Sequence, residues 1–181
     1  LNNSYLFESP RLRFRETTVN DADVIYRLNS DPEVMQYTGG VSWNSIAEAG
    51  EFLANYQDFR KNNMGRWAAV RKDDGAVIGW CGLKLQANGE IDLGYRLFKN
   101  YWNQGYATEA GLASLNYGFE KLGLKKIIGQ VLPVHFASIR VLEKVGMHFL
   151  RHDVDKQTGQ NILVYTITHE DFCRNKSISS F

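Results

Sequence analysis

Between residues 11 and 17 apolar and charged side chains alternate, with Leu12 and Phe14 on one side and arginines on the other, which predicts a half-buried strand. The period then lengthens. Asn20 can cap a helix whose stripe is Ala22, Ile25, Tyr26 and Leu28, and Asp31-Pro32 opens a second, short one. After Asn44 a longer helix is expected, because Ile46, Ala49, Phe52, Leu53, Tyr56 and Phe59 recur at helical spacing. Period two returns in Arg66 to Arg71 and Ala76 to Leu85, joined by Asp73-Asp74-Gly75 as a hairpin. Glu90 to Phe98 follows as a third strand, with Ile91, Leu93, Tyr95 and Leu97 on one face. A helix from about Thr108 to Leu122 stops at Gly123. Beyond it come a strand (Lys126 to Leu132), a helix (Phe136 to Val145, ended by Gly146) and two strands around Thr158-Gly159. Thr168 with Asp171 can cap a terminal helix. The order β-α-α-β-β-β-α-β-α-β-β predicts an α/β (mixed α+β) fold with a central sheet of about seven strands flanked by helices.

Composition narrows the setting. A chain of 181 residues suits one domain, expected over residues 9–174 with terminal segments 1–8 and 175–181. The net charge of +1 argues against a dedicated nucleic-acid binder. No apolar run reaches the ~20 residues of a membrane-spanning helix, and Leu1 to Ser9 lacks a secretory-signal pattern. Cys81 and Cys173 stand apart and read as free thiols of a reducing compartment, so the expected location is cytoplasmic. His148 and His152 show no metal-ligand spacing, and no metal is assigned.

The chemistry concentrates in Leu93 to Ala110, LGYRLFKNYWNQGYATEA, where a strand enters a loop and then a helix opening at Gly105-Tyr106-Ala107-Thr108. Such a junction aims unpaired backbone N–H groups at one point, reinforced by the helix dipole, and suits a pyrophosphate. Small residues at a strand–helix turn also arise from turn chemistry alone. The loop has neither the Lys-Ser/Thr of a nucleoside-triphosphate loop nor a GxGxxG, which leaves a diphosphate ligand other than ATP or NAD.

The segment resembles motif A of the GNAT superfamily, Gln/Arg-x-x-Gly-x-Gly/Ala, here Trp102-Asn103-Gln104-Gly105-Tyr106-Ala107. It is similar to the Trp-Gly-x-Gly-Tyr-Ala-Thr-Glu-Ala of the subgroup of ribosomal-protein N-acetyltransferases (RimJ/RimL-like), with Asn103 replacing Gly. Asn is among the residues that tolerate a left-handed conformation. A second block, Leu132 to Met147, resembles the family's Asn-x-x-Ser-x-x-x-Leu-x-Lys-x-Gly-Phe through Ser138, Leu142, Lys144 and Gly146, with His135 at the usual Asn and Met147 at the Phe. With SDPEVMQY and VIGWCGL upstream, the resemblance runs from about Arg11 to Phe172.

This resemblance implies a single GNAT-like domain that transfers acetyl from acetyl-CoA to a primary amine, by direct attack in a ternary complex, releasing coenzyme A. The acceptor is a small amine or a protein N-terminus, with neither nucleic acid nor membrane as partner, and the chain is a monomer or homodimer. Backbone around Arg96, Leu97 and Phe98 would bond the pantetheine arm, and an amide near Leu97 would face the thioester carbonyl. Trp102 and the loop Asn103, Gln104, Gly105, Tyr106, Ala107 and Thr108 would take the pyrophosphate. Asp92 is the leading general base, or else a paired strand carboxylate. Ser138 would touch the cofactor arm or protonate the thiolate, or else bond local backbone. His135 would donate to coenzyme A, or only cap its helix. Trp43, Tyr37 and Tyr95 are placed on the acceptor, against the general tendency of aromatics to serve as core. Were Asp92 and Ser138 not arranged for proton transfer, the chain would be a catalytically silent acyl-CoA-binding module or sensor.

Overall fold

The computed structural model describes residues 4–38 and 42–178. Parts of the expected terminal segments, residues 1–3 and 179–181, lie outside the described residues. In chain order the elements are β1 (Phe7–Glu8), β2 (Leu12–Arg15), α1 (Ala22–Ser30), α2 (Pro32–Met35), α3 (Ile46–Asn55), α4 (Asp58–Asn62), β3 (Arg66–Arg71), β4 (Val77–Leu85) and β5 (Ile91–Leu97). They continue as α5 (Tyr106–Glu120), β6 (Lys126–Val131), α6 (Phe136–Lys144), β7 (His148–Val154), β8 (Asn161–Thr168) and α7 (His169–Ile178).

One mixed sheet of eight strands runs β1-β2-β3-β4-β5-β6-β8-β7. The strand beyond the expected seven is β1, two residues long, which pairs Phe7 with Phe14. Phe7 earns this place through its ring rather than its periodicity: it stacks on Phe14 at 4.6 Å and on Tyr117 of α5 at 4.5 Å. With β1 in the sheet and α7 running to Ile178, ordered structure extends past residues 9–174 at both ends. The long helix expected to carry Tyr56 and Phe59 is two helices. Tyr56 adopts ψ 106, ending α3, because its hydroxyl is drawn to accept the Arg66 N–H at 3.1 Å while Phe59 is buried from α4.

Apolar layers cover both sheet faces. Leu83, Leu93 and Leu97 join Ala110, Leu115 and Phe119 of α5 in the main core. Full burial of each leucine contributes roughly 2 kcal/mol. On the opposite face Ala22 and Ile25 of α1 meet Ala49 and Leu53 of α3, with Trp80 of β4 packed against them.

The feature that creates a site is the junction of β5 and β6. Along its other edge β5 pairs with β4 throughout, from Ile91 opposite Leu85 to Leu97 opposite Gly79. Toward β6 it is parallel and makes a single register pair, Asp92 with Ile128. Beyond Asp92 the two strands diverge as a fork.

Candidate active site

The fork opens a cleft of about 780 Å³ lined from both faces of the sheet. Phe98 N–H donates to Ile78 O on β4 at 3.0 Å. Backbone groups alternate in direction along a strand, so Leu93, Tyr95 and Leu97 turn their N–H and C=O groups toward the fork. Leu97 O is met there by the indole of Trp102, which donates to it at 2.8 Å and fixes the loop that follows.

That loop winds into α5 through two left-handed residues, Asn103 (φ 57) and Gly105 (φ 82). Asn at the position where the resembling subgroup has Gly therefore holds the turn in place. Gly105 is the N-cap of α5 and offers no side-chain cap, while the first α5 bond runs from Glu109 N–H to Gly105 O. The preceding N–H groups lie outside the helical ladder, and Gly105, Tyr106, Ala107 and Thr108 line the cleft. The loop is braced from behind: Arg11 donates to Gln104 O at 3.0 Å and to Glu109 Oε2 at 2.6 Å, and its guanidinium lies 4.1 Å from the Tyr106 ring centroid.

On α6, Ser138 Oγ lies 2.8 Å from the Tyr95 hydroxyl, which also donates to Ser138 O at 3.1 Å. Burial pushes the Tyr95 hydroxyl well above the ordinary tyrosine range, so it keeps its proton at neutral pH. His135, the N-cap residue of α6, stacks on Tyr37 at 4.2 Å and closes one end of the cleft. Burial lowers its pKa, favouring the neutral ring.

Asp92 sits at the crotch of the fork, 7% exposed. Its Oδ2 accepts from Arg66 at 2.5 Å and its Oδ1 from Gln130 N–H at 3.3 Å, tying β3, β5 and β6 together. Burial raises its pKa, with Arg66 and the Gln130 amide opposing. Gly94 makes room for this pair: a Cβ there would stand 2.6 Å from the Arg66 guanidinium carbon.

The cleft thus brings together Asp92, Tyr95, Arg96, Leu97, Trp102, Asn103, Gly105 to Thr108, His135, Ser138 and Tyr37. It does not gather all the expected residues. Trp43 packs on Phe52 and the α1–α3 cluster, outside the lining, because its ring completes that small core. Phe98 spends its amide on β4, and the Gln104 side chain turns back to Asn100 O at 2.7 Å; neither lines the cleft. Arg66, Trp80, Gln130, Arg140 and Lys144 line it and were given no role in the site from sequence, Lys144 having been noted only as a motif match. Arg140 and Lys144 lie four apart on α6, a spacing that could have flagged them. Arg66 reaches Asp92 only through strand register, which leaves no local signal. Among the described residues no three His, Cys, Asp or Glu side chains gather to hold a metal, and no helix is long and apolar enough to cross a membrane.

A strand edge opened by a fork, leading to a helix start with unspent amides, fits coenzyme A: an extended amide-bearing arm on β5 and a pyrophosphate on α5. Fold and site define an acetyl-CoA-dependent acetyltransferase. The chain belongs to the GNAT family, since the model described as "Acetyltransferase (GNAT) domain" matches residues 11–148. It is 32% identical over 160 residues to the uncharacterized N-acetyltransferase p20 of Bacillus licheniformis, covering 86% of this chain and 90% of that protein. Its fold is similar to that of a GNAT-family acetyltransferase from Bacillus anthracis, with TM-score 0.77, 23% identity, and coverage of 91% of this chain and 98% of the other. A spermidine N-acetyltransferase from Vibrio cholerae, solved with CoA and spermine, also has TM-score 0.77, at 19% identity and covering 90% of this chain and 98% of that one.

Proposed function

We propose that this acetyltransferase acts on a primary amine through a ternary complex, with Tyr95 and Ser138 serving the departing thiolate. The observation that carries the reading is the Tyr95–Ser138 hydroxyl pair, which bridges β5 and α6 inside the cleft. When bound, acetyl-CoA supplies the activated acyl group. The chain's own contributions are local. The inward N–H groups of β5 supply donors for an oxyanion. Tyr95 Oη carries a proton, kept there by burial, and Ser138 Oγ orients it. Asp92 has both oxygens engaged, which favours the role of pinning the fork over that of a free base; the amine then enters neutral and its proton leaves to water.

The stretch Trp102 to Ala110 resembles that of the ribosomal-protein N-acetyltransferase subgroup and supports an acceptor of that kind. Proteins of this fold include a ribosomal-protein-S5-alanine acetyltransferase from Vibrio fischeri and a spermidine N-acetyltransferase from Vibrio cholerae, so the fold alone is compatible with either kind of acceptor.

The test is calorimetric titration of coenzyme A into the wild-type chain and Gly105→Trp, followed by thiol release from acetyl-CoA with an amine panel. Binding that the substitution weakens at least tenfold, about 1.4 kcal/mol, is expected, with turnover that Tyr95→Phe lowers in kcat. Binding without turnover on any amine would mark a silent acyl-CoA module, and no binding at millimolar coenzyme A would refute the reading.

A further inference from the structure

On the sheet face opposite α5, the cleft is walled by Trp80 with one guanidinium beside each half of its environment: Arg66 Cζ at 5.3 Å and Arg96 Cζ at 5.2 Å from the ring centroid. The two cations are treated differently by the chain. Arg66 has a counter-charge, Asp92, at 2.5 Å. Arg96 has none. Its Nη1 donates to Asn29 Oδ1, a neutral amide on α1, and its buried Nε meets no hydrogen-bond partner.

Acids of the surrounding elements are spent elsewhere. On α1 and at its end, Asp23 pairs with Arg27 at 2.8 Å, and Asp31 Oδ1 caps α2 by accepting from Glu33 N–H at 2.9 Å. Glu33 on α2 pairs with Lys99, and Asp92 on β5 with Arg66. Burial, seconded by the Arg66 charge, lowers the Arg96 pKa to about 10, so the group is still a cation at neutral pH. A desolvated cation without an anion is costly, and in a cleft that cost is relieved when a ligand brings the anion. A guanidinium in particular matches a carboxylate through paired N–H donors.

We infer that the amine acceptor carries a carboxylate, and that Arg96 binds it in the part of the cleft walled by Trp80. This rests on the acetyltransferase reading above and specifies its substrate class: amino acids or peptide-like amines bearing an anionic group, and not polyamines, whose charge the unpaired Arg96 repels. Arg96 lies four residues beyond the crotch at Asp92, on the same sheet face, since side chains at i and i+4 of a strand share a face. Tyr95, between them, points to the other face and to Ser138. The carboxylate site and the hydroxyl pair therefore lie on opposite sides of β5, with the acyl-transfer point between them.

The test uses matched pairs: L-amino acids and ω-amino acids of increasing length, each against its carboxamide, with spermidine as the cationic control. Thiol release from acetyl-CoA is expected to show kcat/KM at least tenfold higher for the carboxylates than for their amides. Arg96→Gln should bring that ratio to near one by raising KM, with Arg96→Lys intermediate. In parallel, the corresponding N-acetyl amino acids and their amides are titrated into wild-type protein saturated with coenzyme A, where only the carboxylates should bind. Preference for amides or spermidine would overturn the proposal, as would binding that ignores the carboxylate. Loss of coenzyme A affinity in Arg96→Gln, with no change in the carboxylate ratio, would reassign Arg96 to the cofactor and overturn it too. Failure of coenzyme A to bind the wild type would instead refute the acetyltransferase reading, so the two failures are distinct.

Discussion

Asp21, 4% exposed, places one oxygen 2.7 Å and the other 2.8 Å from the two terminal nitrogens of Arg15, and also accepts the Thr18 N–H at 2.8 Å. Burial works to raise its pKa, but the Arg15 and Thr18 bonds outweigh it and hold the carboxyl below 3.8. A depressed native pKa means the unfolded chain binds the proton first. The stabilisation is therefore complete above the unfolded value and is lost as pH falls through the native one. Asp21→Asn leaves Arg15 without its anion and should lower Tm at pH 7 by roughly 6–12 °C, from about 3 kcal/mol. Thermal melts from pH 7 to pH 2 check this: the gap between variant and wild type should narrow in acid, and a constant gap would contradict it. At this scale the sequence carried much of the site. The departure at Asn103 keeps a left-handed turn at φ 57, and Ser138 lines the cleft. What was hidden was partnership. Neither Arg66 with Asp92, 26 positions apart, nor Tyr95 with Ser138, 43 apart, leaves a trace in local spacing.

Between elements, the clearest coupling is the clasp of the β1–β2 turn on the first turn of α5. Glu109 Oε1 accepts from Arg11 N–H and from Ser9 Oγ, both at 2.7 Å, while Oε2 takes the Arg11 side chain. A carboxylate in the first turn also favours the helix dipole. Through Arg11 the clasp reaches the Gln104 carbonyl, so the β1–β2 turn sets the loop proposed to face the pyrophosphate. Glu109→Ala should cost about 2 kcal/mol, or roughly 4–8 °C in Tm, and weaken coenzyme A binding as well; differential scanning calorimetry and titration of the same sample check both. A loss of stability with unchanged affinity would separate the clasp from the loop. Long periodic segments were legible as elements: β3 and β4 join across Asp74, while α5 ends at Glu120, shortly before the expected Gly123, and α6 at Lys144, shortly before Gly146. The break at Tyr56 was not legible, because helical spacing continues through it and only a tertiary hydrogen bond to Arg66 ends the helix.

For the molecule as a whole, two sheet halves meet in register at one residue pair, Asp92 with Ile128. Ligand that spans the fork adds bonds that the folded chain lacks alone. Coenzyme A at about 100 times its Kd should raise stability by ~2.7 kcal/mol, or roughly 5–11 °C. Hydrogen exchange at the amides of Leu93, Tyr95 and Leu97 should slow on binding, and unchanged exchange there would place the arm elsewhere. The fork itself was not legible from periodicity, since β5 and β6 each read as ordinary strands and divergence is a relation between them; the motif resemblance pointed to β5 without showing why it is open. The outer margins of the sheet carry their own guards: β1 has only two residues with charged Glu8, and β7 is broken in register between Phe149 and Arg151. The fork follows a different logic. Unpaired strand backbone is the most adhesive surface a soluble protein owns, a ready template for another molecule's strand. Here it is sunk between two arms of one sheet, where a slim, unbranched chain can slide in and a polypeptide with side chains on both faces cannot. The same divergence that would admit a thioester arm also hides that open edge from another copy of the chain.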